Sequence, residues 1–115
     1  MRPSKSSAEA FAADAHAREI ARRAIADRLD NVLTPVERLF VYLPFQHAEN
    51  MEDQNESVRL FESLRDVFAA DTIGHAYRHR DVIREFGRFP HRNVALGRIN
   101  TPEEDAYLAK PGVEY

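Results

Sequence analysis

Cysteine is absent from the 115 residues, which excludes disulfide bonds and thiolate metal sites. Long apolar runs are absent as well. None approaches the roughly 20 residues that a membrane-spanning helix needs, so we expect no membrane partner. The N-terminal segment MRPSKSSAEA lacks the apolar core of a secretory signal. We therefore expect a cytoplasmic protein.

The chain has no surplus of basic residues: Lys and Arg number 16, Asp and Glu 19, and the formal net charge is −3. Proteins that bind nucleic acids usually carry a basic surplus, so we predict no nucleic-acid partner. The length fits one domain with one modest core. We expect a flexible arm over residues 1–7 and a single helical domain over residues 8–115.

The first predicted helix, from about Ala8 to Arg28, contains neither Gly nor Pro and is rich in Ala, Arg and Glu. Its apolar residues lie on two faces, one with Phe11, Ile25 and Leu29 and the other with Ala13, Ala17, Ile20 and Ala24. A helix that is apolar on two sides usually packs against two neighbours. A second copy of the chain can supply one of them, which predicts a homo-oligomer formed through the first helix.

The second helix begins with a capping box, in which Thr34 and Glu37 bond each other's backbone around Pro35. It is apolar nearly all round, which predicts the central and most buried helix, with a kink or an early end at Pro44. Asn50 is expected to cap a third helix over about 51–69, with an apolar stripe on one side. The aromatic residues are assigned to the core: Phe40, Tyr42, Phe45, Phe61, Phe68, Phe86 and Phe89.

The fourth helix is predicted to start at Asp71 or Thr72 and to end near Phe86, with Gly87 as its stop signal. His79 projects into the middle of its apolar stripe. A loop follows in which Asn93 is expected to cap one short turn. A second capping box, from Thr101 to Glu104, opens a last short helix to about Ala109. No pattern indicates strands, so the predicted fold is all-α, with about four main helices and a short C-terminal one.

Four segments resemble a known family: YLPFQHAEN, the Gln54-x-x-Ser57-Val58 helix, HRDVIREFGRFPHRNVALGR and TPEEDAYL. They are similar to the bacterial domain-of-unknown-function family numbered 924, from about Ala10 to the C-terminus. The resemblance implies antiparallel helical hairpins related to tetratricopeptide repeats and no established activity. Members of the family usually begin with further helices, including a motif like LLDQFPRN. We expect this chain to be a shortened form, or a second copy to cover the exposed face.

The candidate catalytic residues are two histidines and a glutamate near helix ends, together with one histidine inside the fourth helix: His47, Glu49, His79 and His91. A histidine beside a carboxylate can act as an acid–base pair at neutral pH. No GxSxG motif or cysteine indicates covalent catalysis. The alternatives are structural: His47 and Glu49 as a polar clamp between helices, and His79 as a buried, hydrogen-bonded histidine.

The loop after the fourth helix supplies most of the candidate ligand-binding residues: Arg88, His91, Arg92, Asn93 and Arg98, joined by Gln54 from the third helix. Guanidinium groups bind carboxylates and phosphates well, which predicts a site for an anionic small molecule or a peptide carboxylate. The structural alternative is that the arginines tie the loop to Glu49, Asp53 or helix ends.

We expect no metal or cofactor, although His75 and His79 have the i, i+4 spacing by which two imidazoles can bind one metal. Three functions follow from these residues. The favoured one is a binding or interaction module with a polar His/Glu/Arg pocket. The others are a metal- or histidine-assisted hydrolase that uses the same pocket, and a self-assembly or scaffold protein.

Overall fold

The computed structural model describes the backbone of residues 5–111 and the side chains of residues 14–111. The elements are α1 (Lys5–Ala26), α2 (Pro35–Gln46), α3 (Met51–Glu62), α4 (Ala70–Phe86) and α5 (Pro102–Leu108), with 3-10 turns at Leu29–Val32 and Pro90–Arg92. The described part has no strand, which confirms the predicted all-α class. Consecutive helices pack in series, α1 on α2, α2 on α3 and α3 on α4.

The predicted caps at Thr34, Asn50 and Thr101 are confirmed, whereas α4 begins at Ala70, just before the predicted Asp71 or Thr72. The Thr34 hydroxyl accepts a hydrogen bond from the Glu37 N–H at 3.3 Å, and Glu37 accepts one from the Thr34 N–H at 2.9 Å. Thr101 forms the same reciprocal box at the start of α5. Asn50 accepts a bond from the Asp53 N–H at 2.8 Å. These side chains satisfy N–H groups that have no partner inside the helix, so local sequence determines where these helices begin.

The helix ends are confirmed less often. Gly87 ends α4 with a left-handed φ of 74°, as predicted. The end predicted for the third helix, residue 69, is wrong, since α3 stops at Glu62. The Ser63 hydroxyl there donates to the Leu60 carbonyl, and the chain continues in tighter turns. Pro44 lies inside α2, which continues to Gln46.

The central helix is α3, so the prediction that the second helix is the most buried is wrong. Both α2 and α4 pack on α3, and half of its twelve residues are buried. Between α1 and α3, α2 leaves one face exposed, with Val36 56% and Phe40 66% accessible. The core assignment is therefore wrong for Phe40. The other six aromatic residues are buried or partly buried, as predicted.

An ion-pair cluster fixes α1 to α3. The Arg22 guanidinium donates to both Asp53 oxygens, at 2.6 and 2.8 Å, and Arg18 approaches the same carboxylate at 3.3 Å. Ala21 is buried against the core, whereas Ile20 is 56% exposed. The side chains predicted at Phe11 and Ala13, and residues 1–4 of the predicted arm, lie outside the described part. No helix in the described part is both long and apolar enough to cross a lipid bilayer.

Candidate functional site

A polar cavity of about 240 Å³ lies where the end of α2, the middle of α4 and the turn Pro90–Arg92 meet. The described residues that line it are His47, His79, Phe89, His91 and Arg92. The rings of His47 and His79 are 6.3 Å apart between centroids. The structure therefore brings together three of the four predicted catalytic candidates and one of the predicted anion-binding arginines.

Phe89 forms the apolar wall of this cavity. Its side chain is fully buried, and its ring centroid lies 5.5 Å from that of His79 and 5.8 Å from that of His91. The Arg92 guanidinium carbon lies 4.7 Å from the Phe89 centroid, a cation–π distance. The predicted core position of Phe89 is confirmed. The same ring also orients the polar groups of the cavity.

Glu49 and Arg98 hold the backbone of Phe89. The two terminal nitrogens of Arg98 donate to the Glu49 carboxylate at 2.9 and 3.0 Å. Glu49 also accepts a bond from the Phe89 N–H at 2.6 Å, and Arg98 donates to the Phe89 carbonyl at 3.2 Å. Glu49 does not line the cavity, and its oxygens are already occupied. The structural alternative, in which an arginine ties the loop to Glu49, is confirmed.

Glu104 organises the other side of the loop. Its buried carboxylate accepts two bonds from Arg88, at 2.8 and 2.6 Å, and one from the Thr101 N–H at 2.9 Å. The Arg88 hydrogen bonds lower the pKa of Glu104 to about 2. The sequence pattern identifies Glu104 only as the second member of the Thr101 capping box. No local signal could reveal its ion pair, because the partner precedes it by sixteen residues.

Asn93 is fully buried between these two groups of residues and does not act through its side chain as the predicted helix cap. Its amide nitrogen donates to Asn100 at 2.8 Å, and its amide oxygen accepts a bond from Arg98 at 2.9 Å. Asn93 also donates to Glu104 at 3.4 Å. Asn93 thus joins the Glu49–Arg98 pair to the Arg88–Glu104 pair.

Gln54 is fully buried at the junction of α2 and α3. Its amide nitrogen donates to the carbonyls of Gln46 and Ala48, at 2.8 Å each. These carbonyls lie where α2 ends and have no partner in a further helical turn. The structure therefore places Gln54 at a helix terminus and outside the lining of the cavity.

The two histidines of α4 have different environments. His79 is buried, and its Nδ1 lies 2.7 Å from the His75 carbonyl oxygen, which can only accept, so Nδ1 carries the proton. His75 is exposed, and its ring lies 3.5 Å from Asp71. Among the described residues, no three His, Asp or Glu side chains are arranged to hold a metal ion.

The charge of the cavity comes from Arg92, because burial favours the neutral form of the three imidazoles that line it. Burial lowers the pKa of His79 to about 4. Burial, followed by the positive charge of Arg92, also holds the pKa values of His47 and His91 below their ordinary range. Burial lowers the pKa of Arg92 itself, while Glu49 and Asp14 attract it only through longer-range Coulomb interactions.

Arg92 differs from the other two arginines of the loop. In the described part of the chain it forms no ion pair with a carboxylate, whereas Arg88 pairs with Glu104 and Arg98 with Glu49. The predicted acid–base pair of His47 and Glu49 is also not formed there, since Glu49 bonds to Arg98 and Phe89. The cavity is therefore a cationic site with an apolar wall.

Comparison with known proteins gives two matches. The family model described as "Bacterial protein of unknown function (DUF924)" matches residues 4–112. A solved structure titled "Structure of Protein of Unknown Function ATU0120 from Agrobacterium tumefaciens" is similar, with a TM-score of 0.78 and 41% sequence identity. The match covers 86% of this chain and 54% of that one, so this chain spans about half the length of that relative. No curated protein matches.

Proposed function

The chain belongs to the bacterial family of unknown function DUF924, and we propose that it is a binding module whose cavity holds a small anionic ligand. One observation carries the proposal. Arg92 lines a cavity with three imidazoles and, within the described residues, has no carboxylate ion-pair partner. A guanidinium that is largely removed from water needs a counter-charge, since an isolated buried charge is costly. A bound anion supplies one.

The size of the cavity limits the ligand. Its volume of about 240 Å³ lies below the roughly 300–1,000 Å³ that is typical of pockets for drug-sized molecules. A phosphate group, a small dicarboxylate or the carboxylate end of a peptide suits this space. Guanidinium groups bind both phosphate and carboxylate oxygens through paired hydrogen bonds. The Phe89 ring next to Arg92 favours a ligand with a small apolar part beside its charge.

The two alternative functions have less support. For a hydrolase that uses the same residues, Glu49 is the predicted partner of a histidine, but it lies outside the cavity lining and bonds to Arg98. For self-assembly through α1, the supporting observation is that Ile20 is 56% exposed, the one large apolar side chain exposed among the described residues of this helix. Isolated apolar side chains on a surface are common in monomers, so this alternative stays a prediction.

Isothermal titration calorimetry with inorganic phosphate, malonate and N-acetylglycine tests the proposal, one probe for each ligand class. We expect at least one of them to bind, and Arg92→Met to weaken that binding by about tenfold or more. The matched control is Arg84→Met on the exposed face of α4, where Arg84 approaches only Asp81. This control removes the same charge and should leave the affinity unchanged.

Two results would contradict the proposal. One is that the wild-type chain binds none of the three anions at millimolar concentration. The other is that Arg92→Met, shown by circular dichroism to be folded, binds them as well as Arg84→Met does. In either case Arg92 has a structural role on the Phe89 ring and the cavity is not an anion site.

A further inference from the structure

We infer that the cavity takes a compact dianion together with one proton, which His47 or His91 acquires as the anion enters. The inference rests on the proposed anion-binding function and adds the charge of the ligand and the pH control of its binding. Its basis is the composition of the lining, whose described residues include one permanent cation, Arg92, and three imidazoles but no carboxylate.

The charged groups around the lining leave the positive charge of Arg92 largely uncompensated. Arg98 and Glu49 neutralise each other in a two-bond ion pair, and Arg18 on α1 faces Asp53. Asp14 on α1 attracts His47 and Arg92 at longer range but does not line the cavity. On α4, His75 lies on the exposed side, next to Asp71.

A dianion that is paired with Arg92 alone keeps one uncompensated negative charge inside the cavity. Such a charge is costly in a poorly hydrated cavity, and a proton on an adjacent imidazole removes the cost. His47 and His91 suit this role better than His79, because both are only partly buried.

In the absence of an added anion, the lining keeps the His47 and His91 imidazoles neutral at physiological pH. Burial and the charge of Arg92 lower the pKa of both His47 and His91. A bound anion opposes the effect of Arg92 and raises both pKa values, so the ligand and the proton strengthen each other's binding by the same factor. A monoanion is balanced by Arg92 and should bind without taking up a proton.

Calorimetric titration with sulfate between about pH 5.5 and about pH 8 tests the coupling. Sulfate stays doubly charged over this range, so any proton taken up comes to the protein. We expect the sulfate affinity to rise by up to about tenfold for each pH unit lowered. Titrations in buffers of different ionisation enthalpy should show an uptake that approaches one proton per sulfate. Nitrate, a monoanion of similar size, should show neither effect.

Histidine variants locate the proton. The double variant His47→Gln/His91→Gln should lose most of the pH dependence of sulfate binding. The matched control is His16→Gln, which removes an exposed histidine of α1. Should the double variant not fold, NMR titration of the wild-type imidazoles with and without sulfate gives the same information. An upward shift of the His47 or His91 pKa on sulfate binding is expected.

The outcomes separate this inference from the function on which it rests. Sulfate binding with one affinity at all pH values and no proton uptake overturns the coupling and leaves the anion site standing. Unchanged pH dependence in the folded double variant also overturns the assignment to His47 and His91. If neither sulfate nor phosphate binds at any pH, the coupling and the proposed function both fail.

Discussion

Two regions at the loop end of the helices differ in whether their arginines are paired with carboxylates. In the loop framework, defined as Glu49, Arg88, Asn93, Arg98 and Glu104, each arginine meets a carboxylate through two hydrogen bonds. Both carboxylates also accept bonds from backbone N–H groups. In the cavity, Arg92 and three imidazoles share a space with no carboxylate among its described lining residues. The charged groups of the framework are therefore paired, whereas Arg92 has no carboxylate ion-pair partner in the described part of the chain.

This difference shows how the chain keeps an unbalanced site in place. Burying the Arg92 charge in this cavity costs stability, because no carboxylate pairs with it among the described residues. The framework offsets that cost with bidentate pairs and fixes the Phe89 backbone from both sides. The loop therefore does not depend on a ligand for its order. Substitutions in the framework should therefore lower the free energy of unfolding more than substitutions in the cavity do.

The largest effect is expected from Glu49→Ala in the framework. The change leaves Arg98 and the Phe89 N–H without their acceptor, and removing one member of a buried ion pair is costly. We expect a loss of about 3 kcal/mol in the free energy of unfolding, measured by urea denaturation. Glu85→Ala, at an exposed site on α4, should cost less than about 0.5 kcal/mol. Equal effects of the two changes would contradict the role assigned to Glu49.

A smaller effect is expected from pH, and the two regions should respond in separate ranges. The pKa of His79 is lowered to about 4, so the unfolded chain binds a proton more readily than the folded one. Stability from this group is complete above about pH 6.5 and is lost as the pH falls towards 4. The pKa of Glu104 is lowered to about 2, and its contribution is lost only between about pH 4.5 and 2.

Urea denaturation in sulfate-free buffer at a series of pH values measures both ranges. We expect the free energy of unfolding to fall by about 2 kcal/mol between about pH 7.5 and 4.5, mainly through His79. In His79→Gln this fall should largely disappear, while the loss below about pH 4 remains. An unchanged slope in the variant would show that the cavity does not disfavour a charged His79.

The sequence predicted those parts of the fold that depend on neighbouring residues. The capping boxes at Thr34 and Thr101 and the glycine stop at Gly87 need only a few consecutive positions, and all three are confirmed. The central position of α3 was missed. The second helix is apolar nearly all round, but burial depends on which neighbours cover it, and Phe40 stays exposed beside α1 and α3.

The same limit applies to the site. Helical periodicity correctly predicted that His79 faces the interior, where it lines the cavity. Arg88, Arg92 and Arg98, by contrast, look alike in the sequence and differ only in their partners. Those partners, Glu104 and Glu49, lie sixteen and forty-nine positions away from the arginines that they bind. Which arginine has no carboxylate partner among the described residues is therefore a property of the tertiary structure.

The smallest effect on stability is expected from Arg92→Met in the cavity. The change loses the contact of the guanidinium with Phe89, but it also removes the cost of burying the Arg92 charge, and the two effects oppose each other. We expect a change of less than about 1 kcal/mol in the free energy of unfolding. Since the charge of Arg92 lowers the pKa of His47 and His91, both values should rise in NMR titrations of the variant. Arg84→Met should leave both pKa values unchanged. If Arg92→Met loses as much stability as Glu49→Ala, Arg92 has a structural role like that of the framework residues.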